Sequence, residues 1–331
     1  MSAATAPERS ELEVRGLRKE FAVGGGLFTR ERVHAVDDVS FTLKPGRVTA
    51  LVGESGSGKS TVARLLLRLY KPSGGSVLYD GRDITSNKGR SATLDYRSKV
   101  QMIFQDPFDS LNPVKTIHHH LARPLAVHKI VPGNKIDERV NELLDTVGLV
   151  PPEKFAAKYP HELSGGQRQR VSIARALAVE PTVVVADEPT SMLDVSIRIG
   201  ILNLILELKE QHGLAFLYVT HDLASARYVA DDVLVMYAGQ IVEQGPIDDV
   251  LESPQHPYTQ LLLSAVPDPS LDAEARVELS SGQQTAAIDP TAGCRFRARC
   301  PLAIQVCGEV TPQLVDQGRG RATRCHVTAP A

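Results

Sequence analysis

A glycine-rich run at residues 53–61, Gly-Glu-Ser-Gly-Ser-Gly-Lys-Ser-Thr, constrains the fold of this chain more than any other segment. The run fits the pattern G-x(4)-G-K-[ST], and it lies between an apolar stretch at residues 47–52 and a stretch of helical period at residues 59–69. Glycines let such a turn fold into a concave nest of backbone N–H groups that point at phosphate oxygens. The lysine adds a positive charge for the terminal phosphates, and the serine hydroxyl can ligate Mg²⁺. We therefore predict a nucleotide phosphate site formed by Gly53, Glu54, Ser55, Gly56, Ser57, Gly58, Lys59, Ser60 and Thr61.

An apolar strand pattern that ends in two carboxylates lies further along the chain. Residues 183–186 are Val-Val-Val-Ala, and Asp187 and Glu188 follow them directly. A carboxylate at the carboxyl end of a buried strand can reach Mg²⁺ through a water molecule, and a second carboxylate can accept a proton from an attacking water. We predict that Asp187 helps to hold Mg²⁺ and that Glu188 is the general base for hydrolysis.

Short apolar runs alternate with stretches of helical period through most of the chain. Because strands that are separated by helices pair in parallel, the alternation predicts an α/β fold. Residues 106–178 interrupt it, since they read as helices joined by Pro and Gly turns, and we expect a helical insertion there. The strand-like runs are 11–16, 47–52, 76–79, 99–104, 182–186, 215–219 and 232–237, and the helical stretches are 59–69, 135–147, 167–178, 195–211 and 223–230.

The composition is typical of a soluble globular chain. Its 331 residues carry a formal net charge of −2, and 42 % of them are hydrophobic. Apolar stretches fall far short of the roughly 20 residues that a membrane-spanning helix needs, and the polar start MSAATAPERSE is not that of a secretory signal. We therefore expect a cytoplasmic protein, and the near-neutral charge argues against a nucleic-acid partner.

A second glycine-rich turn, Leu-Ser-Gly-Gly-Gln at residues 163–167, directly precedes a helical stretch. Its glycines, its hydroxyl group and the N–H groups at the helix start form another potential anion site. A single nucleotide does not need two such sites, so the second would serve a nucleotide held by a neighbouring subunit. At this point the sequence resembles the ATP-binding cassette (ABC) ATPases, in which LSGGQ is the signature motif, and the resemblance covers roughly residues 10–265.

The resemblance implies roles for further residues. Gln105 matches the glutamine that contacts Mg²⁺ and the attacking water, Asp194 matches the D-loop aspartate, and His221 matches the switch histidine that contacts the γ-phosphate. Phe21 is the aromatic residue expected to stack on adenine.

The family fold is a P-loop cassette, with a RecA-like core sheet and a helical subdomain at about residues 106–178. Two cassettes pack head to tail in this family, with Mg²⁺ and ATP between the phosphate loop of one chain and the signature turn of the other. The resemblance implies that Ser60, Gln105 and Asp187 hold Mg²⁺ and that the signature contacts come from Ser164, Gly165, Gly166 and Gln167.

All four cysteines lie near the carboxyl terminus, at Cys294, Cys300, Cys307 and Cys325. Disulfides are uncommon in cytoplasmic proteins. Zinc ribbons prefer two C-x(2–4)-C pairs, which this spacing lacks, while four thiolates also suit an iron–sulfur cluster. Spacing alone leaves an iron–sulfur cluster, another closed metal site such as zinc, and unligated thiols open.

The tail, together with residues 106–113 (DPFDSLNP) and 256–259 (HPYT), resembles the oligopeptide/dipeptide branch of ABC importers. Some members of that branch bind a 4Fe–4S cluster through this cysteine pattern. The resemblance implies an ATPase subunit on the cytoplasmic face of the cell membrane. Its partners would be two transmembrane permease subunits, an extracytoplasmic substrate-binding protein, and a second cassette that is either a paralogue or a copy of this chain.

We therefore divide the chain into a cassette at residues 1–265, a linker at 266–293, and a small cysteine-containing extension at 294–331. Peptides are the expected cargo, and nickel, sugars or other small solutes are the alternatives within the same role. Two alternatives belong to other classes: a soluble ABC ATPase that acts on nucleic acid or ribosomes, and an iron–sulfur redox sensor. The long coiled coil and the second cassette that are typical of the former are absent from the sequence.

Overall fold

The computed structural model describes residues 11–26, 29–85, 89–106, 111–264 and 292–329. The chain divides into two compact units. The first unit contains residues 1–11, 43–47 and 86–217, and the second contains residues 12–42, 48–85 and 218–331. The predicted boundaries at residues 265 and 293 fall in or beside residues 265–291, which lie outside the described residues, and they stay predictions.

The strands and helices follow one another in an α/β order, with some antiparallel additions. The strands are β1 (Leu12–Gly26), β2 (Thr29–Leu43), β3 (Val48–Val52), β4 (Gly74–Tyr79), β5 (Arg82–Asp83), β6 (Val100–Ile103), β7 (Val183–Asp187), β8 (Ala215–Thr220), β9 (Asp232–Tyr237), β10 (Gln240–Pro246), β11 (Val315–Gly318) and β12 (Arg321–Thr323). The α-helices are Lys59–Leu66, Arg90–Lys99, Ile117–His128, Ile136–Thr146, Pro152–Ala156, Gly165–Leu177, Val195–His212, Leu223–Val229, Ile247–Glu252 and Pro257–Ser264. Among the described residues, no helix is both long and apolar enough to cross a membrane.

One part of the second unit is a four-stranded sheet in the order β2-β1-β4-β5. β1 and β4 are antiparallel, with Leu12 opposite Tyr79. The prediction of parallel pairing was wrong for these strands. Along the start of β1 the side chains alternate between buried Leu12 and Val14 and exposed positions such as Arg15. Antiparallel sheets commonly have one buried and one solvated face, which this alternation matches.

The other strands of the second unit lie in the order β11-β12-β10-β9-β3. β3 and β9 pair in parallel, with Ala50 opposite Val233, and all five residues of β3 are buried. β9 and β10 form an antiparallel hairpin. β12 of the cysteine extension then pairs with β10, with Thr323 opposite Glu243. The extension is therefore built into the second unit through strand pairing.

The first unit combines parallel strands with a group of helices. β6 and β7 pair in parallel, with Met102 opposite Val185. In the described part of the predicted insertion, residues 111–178, the chain forms α-helices and short 3₁₀ turns and contains no strand. Apolar side chains of three of these helices form its core: Ile117, Leu121, Leu125, Val140, Leu143, Leu144, Val171 and Ile173.

Candidate functional site

The loop that is predicted to bind phosphate, residues 53–58, joins β3 to the helix Lys59–Leu66 in the second unit and is called the phosphate-binding loop. Gly53 has a φ of 153° and Gly58 has a φ of 108°, both in the region that favours glycine. A Cβ added at Gly53 would overlap the carbonyl oxygen of Met236, and one added at Gly58 would overlap the carbonyl oxygen of Ala35. The close approach of these backbones explains why the loop has glycine at both positions.

Lys59 is nearly fully buried and turns back onto the loop. Its Nζ donates hydrogen bonds to the carbonyl oxygens of Gly53, at 2.7 Å, and Glu54, at 2.8 Å. The loop has a further backbone contact, because the N–H of Gly239 donates to the carbonyl oxygen of Ser57 at 2.8 Å. Ser60 and Thr61 are half-buried in the first turn of the helix, whereas Ser55 and Gly56 are exposed. The predicted phosphate residues thus form one loop with a buried ammonium group.

The two predicted carboxylates lie at the end of β7 in the first unit. Asp187 is the last residue of β7 and is 5 % exposed. Glu188 follows with a φ of 45°, an unusual backbone conformation for a residue with a side chain. Ser191 donates both its N–H and its hydroxyl group to the carbonyl oxygen of Glu188, at 3.2 and 3.0 Å. Gln105 Nε2 donates to Glu188 Oε2 at 3.2 Å, so the structure brings these two predicted residues together.

The signature turn begins the helix Gly165–Leu177, also in the first unit. Ser164 Oγ accepts a hydrogen bond from the N–H of Gln167 at 3.3 Å, and Gln167 Oε1 accepts from the N–H of Ser164 at 3.1 Å. This reciprocal pair is a capping box. The first turn of this helix contains no acidic residue that would offset the positive end of the helix dipole. A Cβ at Gly166 would collide with the side chain of Ile197.

The three remaining predicted residues lie in other elements of the chain. Asp194 is exposed at the N-cap of the helix Val195–His212. His221 is exposed after β8, next to Asp222, which caps the helix Leu223–Val229. Phe21 packs edge-on against Tyr70, with ring centroids 5.5 Å apart, and Lys19 Nζ lies 4.9 Å from the Phe21 centroid. The role of Phe21 in stacking on adenine stays a prediction.

Sequence reasoning missed two residues that contact the phosphate-binding loop. The Tyr258 hydroxyl accepts a hydrogen bond from the N–H of Glu54 at 2.9 Å. The Arg299 guanidinium forms two hydrogen bonds with the Glu54 carboxylate, both at 3.0 Å. Tyr258 lies within the HPYT segment, which suggested a family but no role, and Arg299 is 245 residues from its partner. No local pattern connects residues so far apart.

The four cysteines are free thiols. Cys307 and Cys325 are buried, whereas Cys294 and Cys300 are half-buried. Burial raises the pKa of Cys294 to about 11, and the neighbouring Cys307, Cys300 and Cys325 add to this effect. Burial likewise raises the pKa of Cys300, with contributions from Cys325 and Cys307. Cys294 is therefore within electrostatic range of the other three thiols, and Cys300 is within range of Cys307 and Cys325.

The metal predictions for the cysteines are not confirmed. Within the described ranges, which include all four cysteines, no group of three or more His, Cys, Asp or Glu side chains is placed to hold a metal ion. A preformed tetrahedral zinc site would be such a group. Hydrogen bonding to the backbone of Phe296 and of Leu302 lowers the pKa of Cys294 and of Cys300, respectively, against the larger effect of burial. Hydrogen bonds of this kind favour the thiolate form.

Comparisons with known families give two matches along the chain. The model described as ABC transporter matches residues 36–191, and the model described as oligopeptide/dipeptide transporter, C-terminal region, matches residues 242–307. The oligopeptide transport ATP-binding protein AppF of Bacillus subtilis is 42 % identical over 326 residues, which are 97 % of this chain and 98 % of that protein. This chain belongs to the ABC transporter family. It is an ATP-binding subunit of the oligopeptide/dipeptide branch and an ATPase of the ABC type.

Further comparisons agree with this assignment. The dipeptide transport ATP-binding protein DppF of Escherichia coli is 42 % identical over 317 residues, which are 95 % of this chain and 93 % of that protein. Among solved structures, cbiO1 of Clostridium perfringens matches with a TM-score of 0.64 and 31 % identity, over 73 % of this chain and 90 % of that one. The ATP-binding cassette MJ0796, in a dimer bound to ADP and Pi, matches with a TM-score of 0.63 and 30 % identity, over 71 % of this chain and 98 % of that one. The predicted family, ABC cassette fold and ATPase class are confirmed.

Proposed function

We propose that this ABC ATPase powers the import of oligopeptides or dipeptides through a membrane transporter. The observation that carries the proposal is the match over 97 % of the chain to the oligopeptide transport ATP-binding protein AppF. The match to dipeptide transport ATP-binding protein DppF over 95 % of the chain gives further support. The two matches cover 98 % of AppF and 93 % of DppF, and neither relative is named for nickel, sugar or nucleic acid.

The proposed nucleotide site uses the residues that the family motifs assign. The loop at residues 53–61 takes the phosphates, Phe21 the adenine, and His221 the γ-phosphate. Hard oxygen donors are the ligands that Mg²⁺ prefers, and Ser60, Gln105 and Asp187 supply such donors. When bound, Mg²⁺ neutralises charge on the phosphate oxygens. A second cassette completes the site with its own signature turn, Ser164, Gly165, Gly166 and Gln167, and with its Asp194.

The proposed chemistry is the transfer of the γ-phosphoryl group to water. Glu188 accepts the proton of the attacking water. Its position is supported by the hydrogen bond from Gln105 and by the two hydrogen bonds that Ser191 makes to its carbonyl oxygen. Lys59 and the N–H groups of its loop hold the phosphates, because phosphoryl transfer needs positioning and charge stabilisation more than covalent catalysis.

The proposed assembly follows from the transport names of the relatives. Two permease subunits would provide the membrane path, and this chain would dock on their cytoplasmic face with a second cassette, either a paralogue or a copy of itself. An extracytoplasmic binding protein would deliver the peptide.

The substitution Glu188→Gln tests the general base. It removes the proton acceptor but keeps the size and the hydrogen-bonding capacity of the side chain, so we expect ATP binding to persist while turnover falls by about a thousandfold. Steady-state ATPase assays and equilibrium ATP binding on the assembled transporter measure the two effects. Glu207→Gln, an exposed change on the helix Val195–His212 of the same unit, is the matched control. Near-normal turnover of Glu188→Gln would contradict the assignment.

The identity of the cargo is tested by affinity purification of the transporter with this chain as the bait. The ligand of the substrate-binding protein that co-purifies is then identified. Mass spectrometry of the released ligand is expected to detect short peptides. Nickel or a sugar in their place would leave the ATPase assignment intact and overturn the peptide proposal.

We propose further that Cys294, Cys300, Cys307 and Cys325 hold a 4Fe–4S cluster. The electrostatic influence of the other thiols on Cys294 and Cys300, and the backbone hydrogen bonding that lowers the pKa of both thiols, support this proposal, because hydrogen bonds to sulfur accompany such clusters. A cluster is larger than one ion, so its ligands need not meet the spacing of a zinc site. When bound, it would cross-link the segments that carry the four cysteines.

Anaerobic purification tests the cluster. We expect broad visible absorption and about four iron atoms per chain, both lost in Cys307→Ser. Zinc in stoichiometric amount, or neither metal together with four reactive thiols, would contradict the cluster. The substitution Ser253→Ala, which lies in the second unit but outside the cysteine segments, is the control.

A further inference from the structure

The cysteine-containing segment reaches the phosphate-binding loop directly. Arg299 Nη1 and Nη2 lie 3.0 Å from Glu54 Oε2 and Oε1, so the planar guanidinium pairs with both carboxylate oxygens. The side chains are 12 % exposed for Arg299 and 32 % exposed for Glu54. Glu54 directly follows Gly53 in the loop. Two-point pairing of this kind determines the orientation of the Glu54 carboxylate and also compensates its negative charge.

Aromatic rings hold Arg299 in place. Its guanidinium carbon lies 5.9 Å from the ring centroid of Tyr237 and 5.8 Å from that of Phe296. Phe296 is 2 % exposed and lies between Cys294 and Cys300 in sequence. A short 3₁₀ turn, Arg297–Arg299, follows it. The hydrogen bonds to Glu54 raise the pKa of Arg299 above its already high ordinary value, so the guanidinium is positively charged at physiological pH.

Tyr258 makes a second contact with the same loop residue. The Glu54 N–H donates to its hydroxyl group at 2.9 Å, and the Tyr258 ring is fully buried. This ring packs 4.6 Å from that of Tyr237 and 5.6 Å from that of Phe296, measured between centroids. The same aromatic cluster therefore supports both groups that hold Glu54.

A buried carboxylate fixes the segment that carries Tyr258. Glu243 is 0 % exposed, and its carboxylate accepts hydrogen bonds from the N–H groups of Gln255, at 2.8 Å, and His256, at 2.9 Å. His256 Nδ1 in turn accepts from the N–H of Tyr258 at 3.0 Å. Burial lowers the pKa of His256 to about 4, so this acceptor is neutral and available at physiological pH. The position of Tyr258 is thus determined by a chain of buried hydrogen bonds.

The contacts on Glu54 affect groups that phosphate binding uses. Lys59 Nζ donates to the carbonyl oxygen of Glu54, so the placement of this residue influences the placement of the ammonium group. An unpaired carboxylate in a phosphate-binding loop would also repel the phosphates that the loop receives. Arg299 neutralises the Glu54 carboxylate and so reduces its repulsion of the phosphates. It also orients the Glu54 side chain, and so helps to fix the residue that Lys59 contacts.

We propose that Arg299 is a positioning residue for nucleotide binding, which acts through Glu54 and, with Tyr258, sets the conformation of the phosphate-binding loop. The proposal rests on the proposed role of that loop as the ATP site. It makes the carboxyl-terminal segment a functional part of the site, beyond any role of its cysteines.

The experiment is a double-mutant cycle in the full-length chain, read out as the Kd for MgATP together with the thermal unfolding midpoint. We expect Arg299→Ala to weaken MgATP binding about tenfold, at the lower end of the effect of losing a charge-assisted hydrogen bond. In the Glu54→Gln background, Arg299→Ala is expected to change the Kd less than about threefold, because no carboxylate then needs neutralising. Arg299→Lys, which keeps the charge but not the two-point pairing, should lie between wild type and Arg299→Ala.

Arg227→Ala is the matched control. Arg227 also belongs to the second unit and forms ion pairs with Asp248 and Glu252, neither of which belongs to the loop. Its removal should leave the Kd unchanged.

Equal Kd values for Arg299→Ala and wild type would overturn the inference. So would a tenfold loss that persists in the Glu54→Gln background, because the effect would then not pass through Glu54. If Arg299→Ala does not fold, Arg299→Lys with and without Glu54→Gln completes the same cycle. A wild-type chain that binds no MgATP would refute the proposed function itself, whereas binding that is indifferent to Arg299 refutes the inference alone.

Discussion

The close approach of the phosphate-binding loop to the backbone of two strands is the constraint on which this structure depends. Gly53 lies against the carbonyl oxygen of Met236 in β9, and Gly58 lies against that of Ala35 in β2. Gly239, in the turn after β9, adds two backbone hydrogen bonds. Its N–H donates to the carbonyl oxygen of Ser57 in the loop, and its carbonyl oxygen accepts from the N–H of Asp37 in β2. The loop is therefore held against both β2 and β9, as the proposed binding of phosphate by its N–H groups requires.

The carboxyl-terminal segment reinforces that position. Arg295 donates to the carbonyl oxygen of Ala238 and pairs with Asp37, next to the turn that holds Ser57. Arg324 pairs with Asp38 and donates to the carbonyl oxygen of Ile241. Buried guanidinium groups are costly to desolvate unless their hydrogen bonds are satisfied, and these carbonyl and carboxylate oxygens supply acceptors. The carboxyl-terminal segment thereby contacts β2, β10 and the turn after β9, and Gly239 of that turn contacts the loop.

The sequence predicted those parts of the site that short motifs encode. The glycine loop, the carboxylates after β7 and the signature turn each depend on residues within a few positions of one another, and the structure has them in the expected elements. The capping box of Ser164 and Gln167, which was not predicted from the sequence, also has a local pattern, because Ser-x-x-Gln before a helix is typical of it. The antiparallel pairing of β1 with β4 was not predicted. The alternation of strands and helices along the chain does not show that these two strands pair in a separate, antiparallel sheet. The contacts of Glu54 with Tyr258 and Arg299 join residues 204 and 245 positions apart, which only the folded chain brings together.

The binding of MgATP by Gly58→Ala tests most directly whether the close packing of the loop against neighbouring backbone is required for nucleotide binding. A Cβ at this position would overlap the carbonyl oxygen of Ala35, and the φ of 108° would be strained. Gly133→Ala is the control, because a Cβ at Gly133 would meet nothing within 4 Å. The account predicts that Gly133→Ala binds MgATP as wild type does and that Gly58→Ala loses measurable binding in equilibrium titrations. Wild-type affinity in a folded Gly58→Ala chain would contradict it.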